Sequence, residues 1–423
     1  MIKIIDGFNF DFVDTPSLFS TLKEYEKIGY SFEGTHFFSL KVRKNNEDIY
    51  ITDQNENVLK KYMYQKCEII KPDFSQSQLT LVSGIINNFN GKSNFKVDKN
   101  IFDKKYSRVI YLLLDGLGNN ILNILDEDSF LRRHYFKSGI SIFPSTTAAA
   151  TTSIKTGLVP LETGWTGWFN YFREEHRNLI LFNGKDYYNN EQVNNNGFKI
   201  MPYKMYYDNI VCMGGCIEPD FSNEAYKFSD SLDRALNKIK KGYQTLYIYD
   251  TNPDELLHQF GTESSEVKEC LIEYDKLIEK FYNSLPLDTL LLIAPDHSHI
   301  DVINHPFYLN SELNEMLERR PANDSRCITF KVKDEYKNIF EESFNKYYKE
   351  YYLIMPSKKA VEEGYLGFSD KVNDRIDDFL ADFVAIATDH LYLNLSENSH
   401  IMASAHAGIT KEEMDIPFIV CKK

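Results

Sequence analysis

The chain has 423 residues, of which 48 are basic and 62 acidic, giving a net charge of −14, with 43% hydrophobic and 26% charged residues. That balance excludes a disordered chain. It also argues against sequence-independent binding to a nucleic acid duplex or an anionic membrane, both of which need a basic surface, while leaving room for a small anionic substrate held through metal ions.

The opening stretch, MIKIIDGFNFDFVDTPS, puts Asp6, Asp11 and Asp14 where a secretory leader needs unbroken apolar residues. No later stretch approaches the roughly 18 apolar residues of a membrane span. Six scattered cysteines, Cys67, Cys212, Cys216, Cys270, Cys327 and Cys421, suit a reducing compartment, so a cytoplasmic protein is expected. Cys212 and Cys216 have no second pair to complete a metal site and read as buried thiols.

Residues 1–95 are rich in aromatics and mixed charges, with one alternating segment around Ile49 and Ile51, and are expected to form an N-terminal subdomain of unknown role. From Val109 the chain shows short apolar runs that end in acidic residues: VIYLLLD at 109–115, TLYIYD at 245–250 and TLLLIAPD at 289–296. Such runs suit strands buried on both faces of a mainly parallel sheet. Between them lie helical stretches, one over 229–241 stopped by Gly242 and one from Ser264 or Ser265 through Leu277. The alternation predicts a doubly wound α/β domain over 96–300 and 386–423, interrupted by a charged, Tyr-rich insertion at 301–385 that reads as a cap. A last apolar run follows at 416–420.

In open α/β sheets, ligands bind beyond the carboxyl ends of the strands, so residues just past each run are candidates. Asp115 and Asp296 sit there, and His297 follows Asp296 with an imidazole suited to zinc or manganese. In the segment NPDELLH at 252–258, Asn252 is a capping type and Pro253 suits the first helical position. Spacing of four then places Asp254 and His258 on one helix face. A predicted strand over 139–143 runs into Ser145, Thr146 and Thr147 and a small-residue helix start, where backbone N–H groups favour an alkoxide or a phosphate oxygen. His406 stands between small residues before the last run. Singly, each feature has an ordinary reading as a cap or a surface side chain.

Taken in chain order, LLLDG at 112–116, PSTTAAATTSIKTGL at 144–158, NPDELLH at 252–258, APDH at 294–297 and SAHAG at 404–408 resemble the alkaline phosphatase superfamily, and within it the type I phosphodiesterase and nucleotide pyrophosphatase group. The segment HAGITKEEMDIPFIV is similar to that group's C-terminal signature. The resemblance implies an alkaline-phosphatase-like sheet flanked by helices and two adjacent divalent metal ions, zinc first, with manganese or iron as alternatives. Asp254, His258 and His406 would hold one ion, and Asp115, Asp296 and His297 the other, with Thr147 as both ligand and nucleophile. Thr147 is preferred to Thr146 because it lies nine residues before Thr156, the spacing of the family. The implied reaction is hydrolysis of a small phosphorylated substrate, such as a nucleotide, through a phospho-threonine intermediate. A monoesterase, a phosphonate hydrolase or a non-catalytic binding homologue is the alternative.

Departures from the family pattern are Leu257, Ser298 and Ala407 where glycine is common, and Ala150 where many diesterases have a phosphate-binding Asn. Leu257 is expected to narrow the space near one ion. Phosphate oxygens would then be met by backbone N–H groups near Thr147 or by Asn119 and Asn120. Trp165 and Trp168, just downstream, are candidates to stack a flat leaving group. His299 reads as a surface or supporting side chain.

Overall fold

The apolar runs that end in acidic residues become the middle of a six-stranded sheet. The computed structural model describes residues 66–223 and 225–423 in full, and before them the backbone of Lys3–Asp6, Tyr25–Phe32, Thr35–Lys44 and Glu47–Asp53. The sheet strands are β1 (Arg108–Leu114), β2 (Tyr135–Ile140), β3 (Gly214–Ile217), β4 (Thr245–Asp250), β5 (Thr289–Ile293) and β6 (Asp415–Lys422). Their order is β2-β6-β5-β1-β4-β3. β3, β4, β1 and β5 run parallel, and β6 is antiparallel to both of its neighbours. β2 is shorter at its end than the predicted strand; Ile142 leaves the ladder and donates its N–H to Gln78 Oε1 at 3.1 Å.

Alternate residues of β1 bury against opposite helical layers, as a two-residue repeat requires. Ile110, Leu112 and Leu114 pack with Leu232 and Ile239 of α3 (Phe228–Lys240) and with Leu271 and Ile278 of α5 (Ser265–Ser284). Val109, Tyr111 and Leu113 pack with Leu79, Val82 and Ile85 of α1 (Gln78–Asn88) and with Ile154 of α2 (Thr147–Thr156). A mainly parallel sheet with helices on both faces is the doubly wound arrangement expected. The start of α5 is capped by Ser264, which accepts from the Val267 N–H. The short helix α4 (Asp254–Phe260) begins one residue later than the capping pattern suggests, with Pro253 at the cap.

Two boundaries differ from the sequence reading. α1 lies inside the expected N-terminal subdomain, yet its apolar face is part of the main core, and Ile70 donates its N–H to the Ile409 carbonyl at 2.8 Å. Residues 66–95 therefore belong to the main body. The four earlier strands form a separate sheet in which Glu47–Asp53 carries the alternating Ile49 and Ile51; the rest of that expectation lies outside the described residues. The strands of the expected insertion also pair beyond it. Its six-stranded antiparallel sheet uses Tyr352–Pro356, Phe383–Ala387, Cys327–Phe330 and Ala322–Asn323, then continues through Phe169–Phe172 and Arg177–Ile180. Asn323 pairs with Phe169 across that junction, so an aromatic hairpin just past α2 completes the sheet. Its core is aromatic, with Phe307, Phe330, Phe340, Phe344 and Tyr348 buried together.

Candidate active site

Asp115 follows β1, Asp250 ends β4 and leads to α4, and Asp296 and His297 follow β5, so the parallel strands deliver these groups to one edge of the sheet. Two glycines permit the crowding there. Gly116 has φ +75°, and a Cβ on it would lie 3.2 Å from Asp254 Cα. A Cβ on Gly118 would lie 1.8 Å from Ser298 Oγ. The loop after β5 is pinned from three sides. Gln78 Nε2 donates to the carbonyls of Pro295 at 2.9 Å and Asp296 at 2.7 Å, Ser141 Oγ donates to Asp296 O at 2.7 Å, and Ser298 Oγ donates to Asn120 Oδ1 at 2.6 Å.

Thr147 is the first residue of α2, and its Oγ1 lies 3.2 Å from His297 Nε2 and 3.5 Å from Asp115 Oδ2. Thr146, the neighbouring candidate, turns the other way and donates to Asp324 Oδ2 at 3.2 Å. Asp115, Asp296 and His297 are buried and bring one ligand atom each within 4.8 Å of one another. His297 Nε2 lies 3.4 Å from Asp115 Oδ1 and 3.5 Å from Asp296 Oδ2, and both oxygens are buried without a hydrogen-bond partner. Burial raises the Asp115 carboxyl well above its usual range, with the charges of Asp296 and Asp254 adding to it, and burial followed by Asp254 raises Asp296 to about 7. Burial lowers His297 to about 3, which keeps its imidazole neutral. Two orphaned carboxylate oxygens around a neutral imidazole form a donor set for a divalent cation.

Asp254, His258, His299 and His406 form a second set, also within 4.8 Å of one another. Asp254 Oδ1 lies 3.4 Å from His258 Nε2, 2.6 Å from His299 Nε2 and 3.6 Å from His406 Nε2. The far nitrogens are all engaged: His258 Nδ1 with Ser404 O at 2.9 Å, His406 Nδ1 with Ser145 O at 3.0 Å, and His299 Nδ1 with Ser404 Oγ at 3.0 Å. Ser404 Oγ gives its own proton to the Leu257 carbonyl, so it accepts from His299. Each ring thus protonates Nδ1 and turns the Nε2 lone pair toward Asp254, the orientation of metal-bound histidines. His299 Nε2 lies within hydrogen-bond distance of Asp254 Oδ1, 2.6 Å, and burial holds the His299 imidazole well below its usual range. The two sets adjoin, since the His297 and His406 rings stack with centroids 3.7 Å apart. His299 is fully buried in this cluster, which corrects the surface reading.

The last His sits on a segment held by a fully buried ion pair. Arg326 donates from Nε to Glu413 Oε1 at 2.7 Å and from Nη2 to Oε2 at 2.8 Å. Glu413 also accepts from the Gly408 N–H at 2.7 Å and from Thr410 Oγ1 at 2.7 Å. Ala407, between His406 and Gly408, has φ +94°, the left-handed region where glycine is favoured.

A cavity of about 270 Å³ opens over Thr147, Asp254, His258 and His406. Trp168, the stacked pair Phe169 and Tyr187 (centroids 3.7 Å apart) and Tyr392 wall it, and Asp324 and Ser325 reach in from the cap. Among the described residues, no Lys or Arg lines it. Trp168 lines the cavity and Trp165 does not. Trp165 is fully buried against Phe182, Phe198 and Tyr203 and donates to the Met201 carbonyl at 3.3 Å. Asn119 spends its amide on Ser138 Oγ at 2.9 Å and Asp415 Oδ1 at 2.7 Å and does not line the cavity. Asn120 instead supports the loop after β5 through the Ser298 hydroxyl and the His299 carbonyl. Leu257 faces the core beside Ile121 and Leu271, so it does not narrow the site. Ala150, in the first turn of α2, is buried in the core beside Ile154 and does not line the cavity.

The profile of the family described as type I phosphodiesterase / nucleotide pyrophosphatase matches residues 109–409. No curated protein matches the chain. Among solved structures, the chain is similar to murine ectonucleotide pyrophosphatase / phosphodiesterase 5, in an inactive variant bound to AMP, with 14% identity over 75% of this chain and 88% of that one and a TM-score of 0.58. The human counterpart gives 13% identity over 74% and 88%, with a TM-score of 0.56. Phosphonoacetate hydrolase from Sinorhizobium meliloti 1021, bound to phosphonoformate, gives 14% over 75% and 92%, with a TM-score of 0.54.

Proposed function

Given that the chain belongs to the type I phosphodiesterase / nucleotide pyrophosphatase family, a group of metal-dependent phosphoric ester hydrolases, we propose that it cleaves small phosphodiesters with Thr147 as nucleophile. The observation that carries this reading is the position of Thr147 Oγ1, 3.2 Å from His297 Nε2, at the junction of two preformed donor sets. Asp115, Asp296, His297 and Thr147 would hold one divalent ion, and Asp254, His258, His406 and the added His299 the other. Zinc fits the imidazole and carboxylate donors best, with manganese or iron next. When bound, the two cations supply counter-charge for the buried carboxylates and favour the ionised form of the threonine hydroxyl.

The chain's own residues account for the rest. Thr147 Oγ1 attacks phosphorus and forms the O–P bond, while the bond to the leaving oxygen breaks and the leaving group departs as an alcohol. Thr147 stands at the start of a ten-residue helix whose first-turn N–H groups have no helical acceptors and suit phosphate oxygens. Those groups take the role that Ala150 cannot perform. Water then cleaves the bond between Thr147 Oγ1 and phosphorus, which restores the hydroxyl and releases a phosphate monoester that keeps the substrate's second ester group.

The cavity favours a diester over a phosphonate that bears a second anion. Its walls offer aromatic faces at Trp168, Tyr187 and Tyr392, the Asp254 carboxylate and the Asp324 carboxyl group, without a cation from the described residues. A flat, weakly charged leaving group, such as that of a nucleotide, fits these surfaces. Residues 301–385, with the hairpin over 169–180, act as the cap that closes over it. We place the protein in the cytoplasm on its six free thiols. Among the described residues, no helix is long and apolar enough to cross a membrane.

The test is the rate of hydrolysis of a chromogenic phosphodiester against its monoester, with added zinc or manganese, for the wild type and Thr147→Ala. Faster diester cleavage that vanishes in the variant supports the proposal. A monoester preference would overturn the diesterase assignment, and full activity in Thr147→Ala would overturn the nucleophile.

A further inference from the structure

Behind the loop that carries His299 lies a third convergence of mixed donors. Cys67, Asp389 and His390 each bring one ligand atom within 4.8 Å of the others, and Cys67 Sγ stands 3.8 Å from Asp389 Oδ1. Asp389 and His390 are buried and Cys67 is half-buried. His390 Nδ1 lies 2.7 Å from the Asp301 carbonyl, which places the ring proton there and the lone pair on Nε2. Asp389 Oδ1 accepts the His390 backbone N–H at 2.7 Å, which fixes the carboxylate. A further carboxylate borders a shared cavity. Glu412 Oε2 is buried without a hydrogen-bond partner, and Glu412, Cys67 and His390 line a cavity of about 330 Å³ together with His299 and Asp301.

We propose that Cys67, Asp389 and His390 form a thiolate-containing site for a zinc-type transition metal ion, separate from the active-site ions. One sulfur, one imidazole nitrogen and one carboxylate oxygen make a three-donor set of the kind zinc takes with a fourth position left to solvent. Binding transfers the Cys67 thiol proton to solvent and involves no redox change. In the absence of a cation, burial, then Asp389 and Glu412, push the thiol far above its usual range, so these neighbours disfavour a bare thiolate and suit one neutralised by a metal. The site is structural in placement. Cys67 precedes α1, Asp389 and His390 precede the strand Leu391–Asn394, and the Asp301 carbonyl that orients His390 lies two residues past His299. An ion here would tie the segment leading into α1 to the loop that holds an active-site imidazole.

Cobalt(II) distinguishes this site from the other two, because thiolate-to-cobalt charge transfer absorbs in the near ultraviolet and the active-site donors include no sulfur. The full chain, stripped of metal and titrated with cobalt, is expected to develop that band to saturation at one ion per chain. Cys67→Ser is expected to abolish it, Cys212→Ser and Asp254→Asn to retain it, and His390→Ala and Asp389→Asn to weaken cobalt binding at the band by about tenfold or more. No band in the folded wild type, or a band unchanged in Cys67→Ser, would overturn the proposal. Should Cys67→Ser fail to fold, unchanged cobalt affinity in both His390→Ala and Asp389→Asn would overturn it equally.

Discussion

Replacing Arg326 with methionine removes the charge that neutralises Glu413 in a fully buried setting. The guanidinium makes two hydrogen bonds of 2.7 and 2.8 Å to that carboxylate, which keeps only the donors from Gly408 and Thr410 once it is gone. Stranding one partner of a buried ion pair costs about 3–5 kcal/mol. That corresponds to a shift of the folding equilibrium by roughly two to four powers of ten. Urea unfolding followed by the fluorescence of Trp165 and Trp168 reads it directly. Glu413→Gln is expected to lose a similar amount, and the double variant Arg326→Met with Glu413→Met less than the sum, because no charge remains unpaired. Since Gly408 is two residues past His406, the single variants are also expected to lose hydrolytic activity. A loss below about 1 kcal/mol in Arg326→Met, or strict additivity in the double variant, would refute the reasoning.

Three further outcomes are expected. Ala407→Gly relieves a left-handed backbone position, φ +94°, and is expected to stabilise the chain by about 1 kcal/mol in the same urea assay. Asp324, raised by burial to about 7 from 3.8, keeps its proton in the folded state while the unfolded chain loses it, so its destabilising effect grows as pH rises from about 4 to about 7. Asp324→Asn is therefore expected to gain about 2–4 kcal/mol relative to wild type between pH 4 and pH 8; an equal difference at both pH values would contradict this. Chelation is expected to lower the melting temperature by leaving Asp115 and Asp296 uncompensated, and zinc at about 100 times its Kd to restore roughly 2.7 kcal/mol, whereas an unchanged melting curve would speak against bound metals.

The strand ends were legible because β1, β4 and β5 are buried on both faces and so read as unbroken apolar runs stopped by Asp. Spacing of four found Asp254 and His258, since a helix puts them on one face whatever surrounds it. His299 was misjudged because it lies in a loop without a repeat, although the alternation His297-Ser298-His299 was itself a signal that both imidazoles point the same way in extended chain. Trp165 and Asn119 could not be sorted from Trp168 and Asn120 by type, because partners distant in sequence decide the matter: Met201 for one, Asp415 for the other. The same holds for Gln78, which reaches the Asp296 carbonyl across more than half of the main body, and for the hairpin over 169–180, which joins the cap sheet only through the pairing of Phe169 with Asn323.

The central claim is that Thr147 carries the phosphoryl group between the two halves of the reaction. Acid-quenching the zinc-loaded enzyme during turnover of a phosphodiester, followed by peptide mass mapping, tests it most directly. A phosphoryl adduct that still bears the substrate's second ester group is expected on Thr147, absent from Thr147→Ala. An adduct on Thr146, or turnover with no adduct under conditions that trap a phospho-threonine standard, would contradict the account.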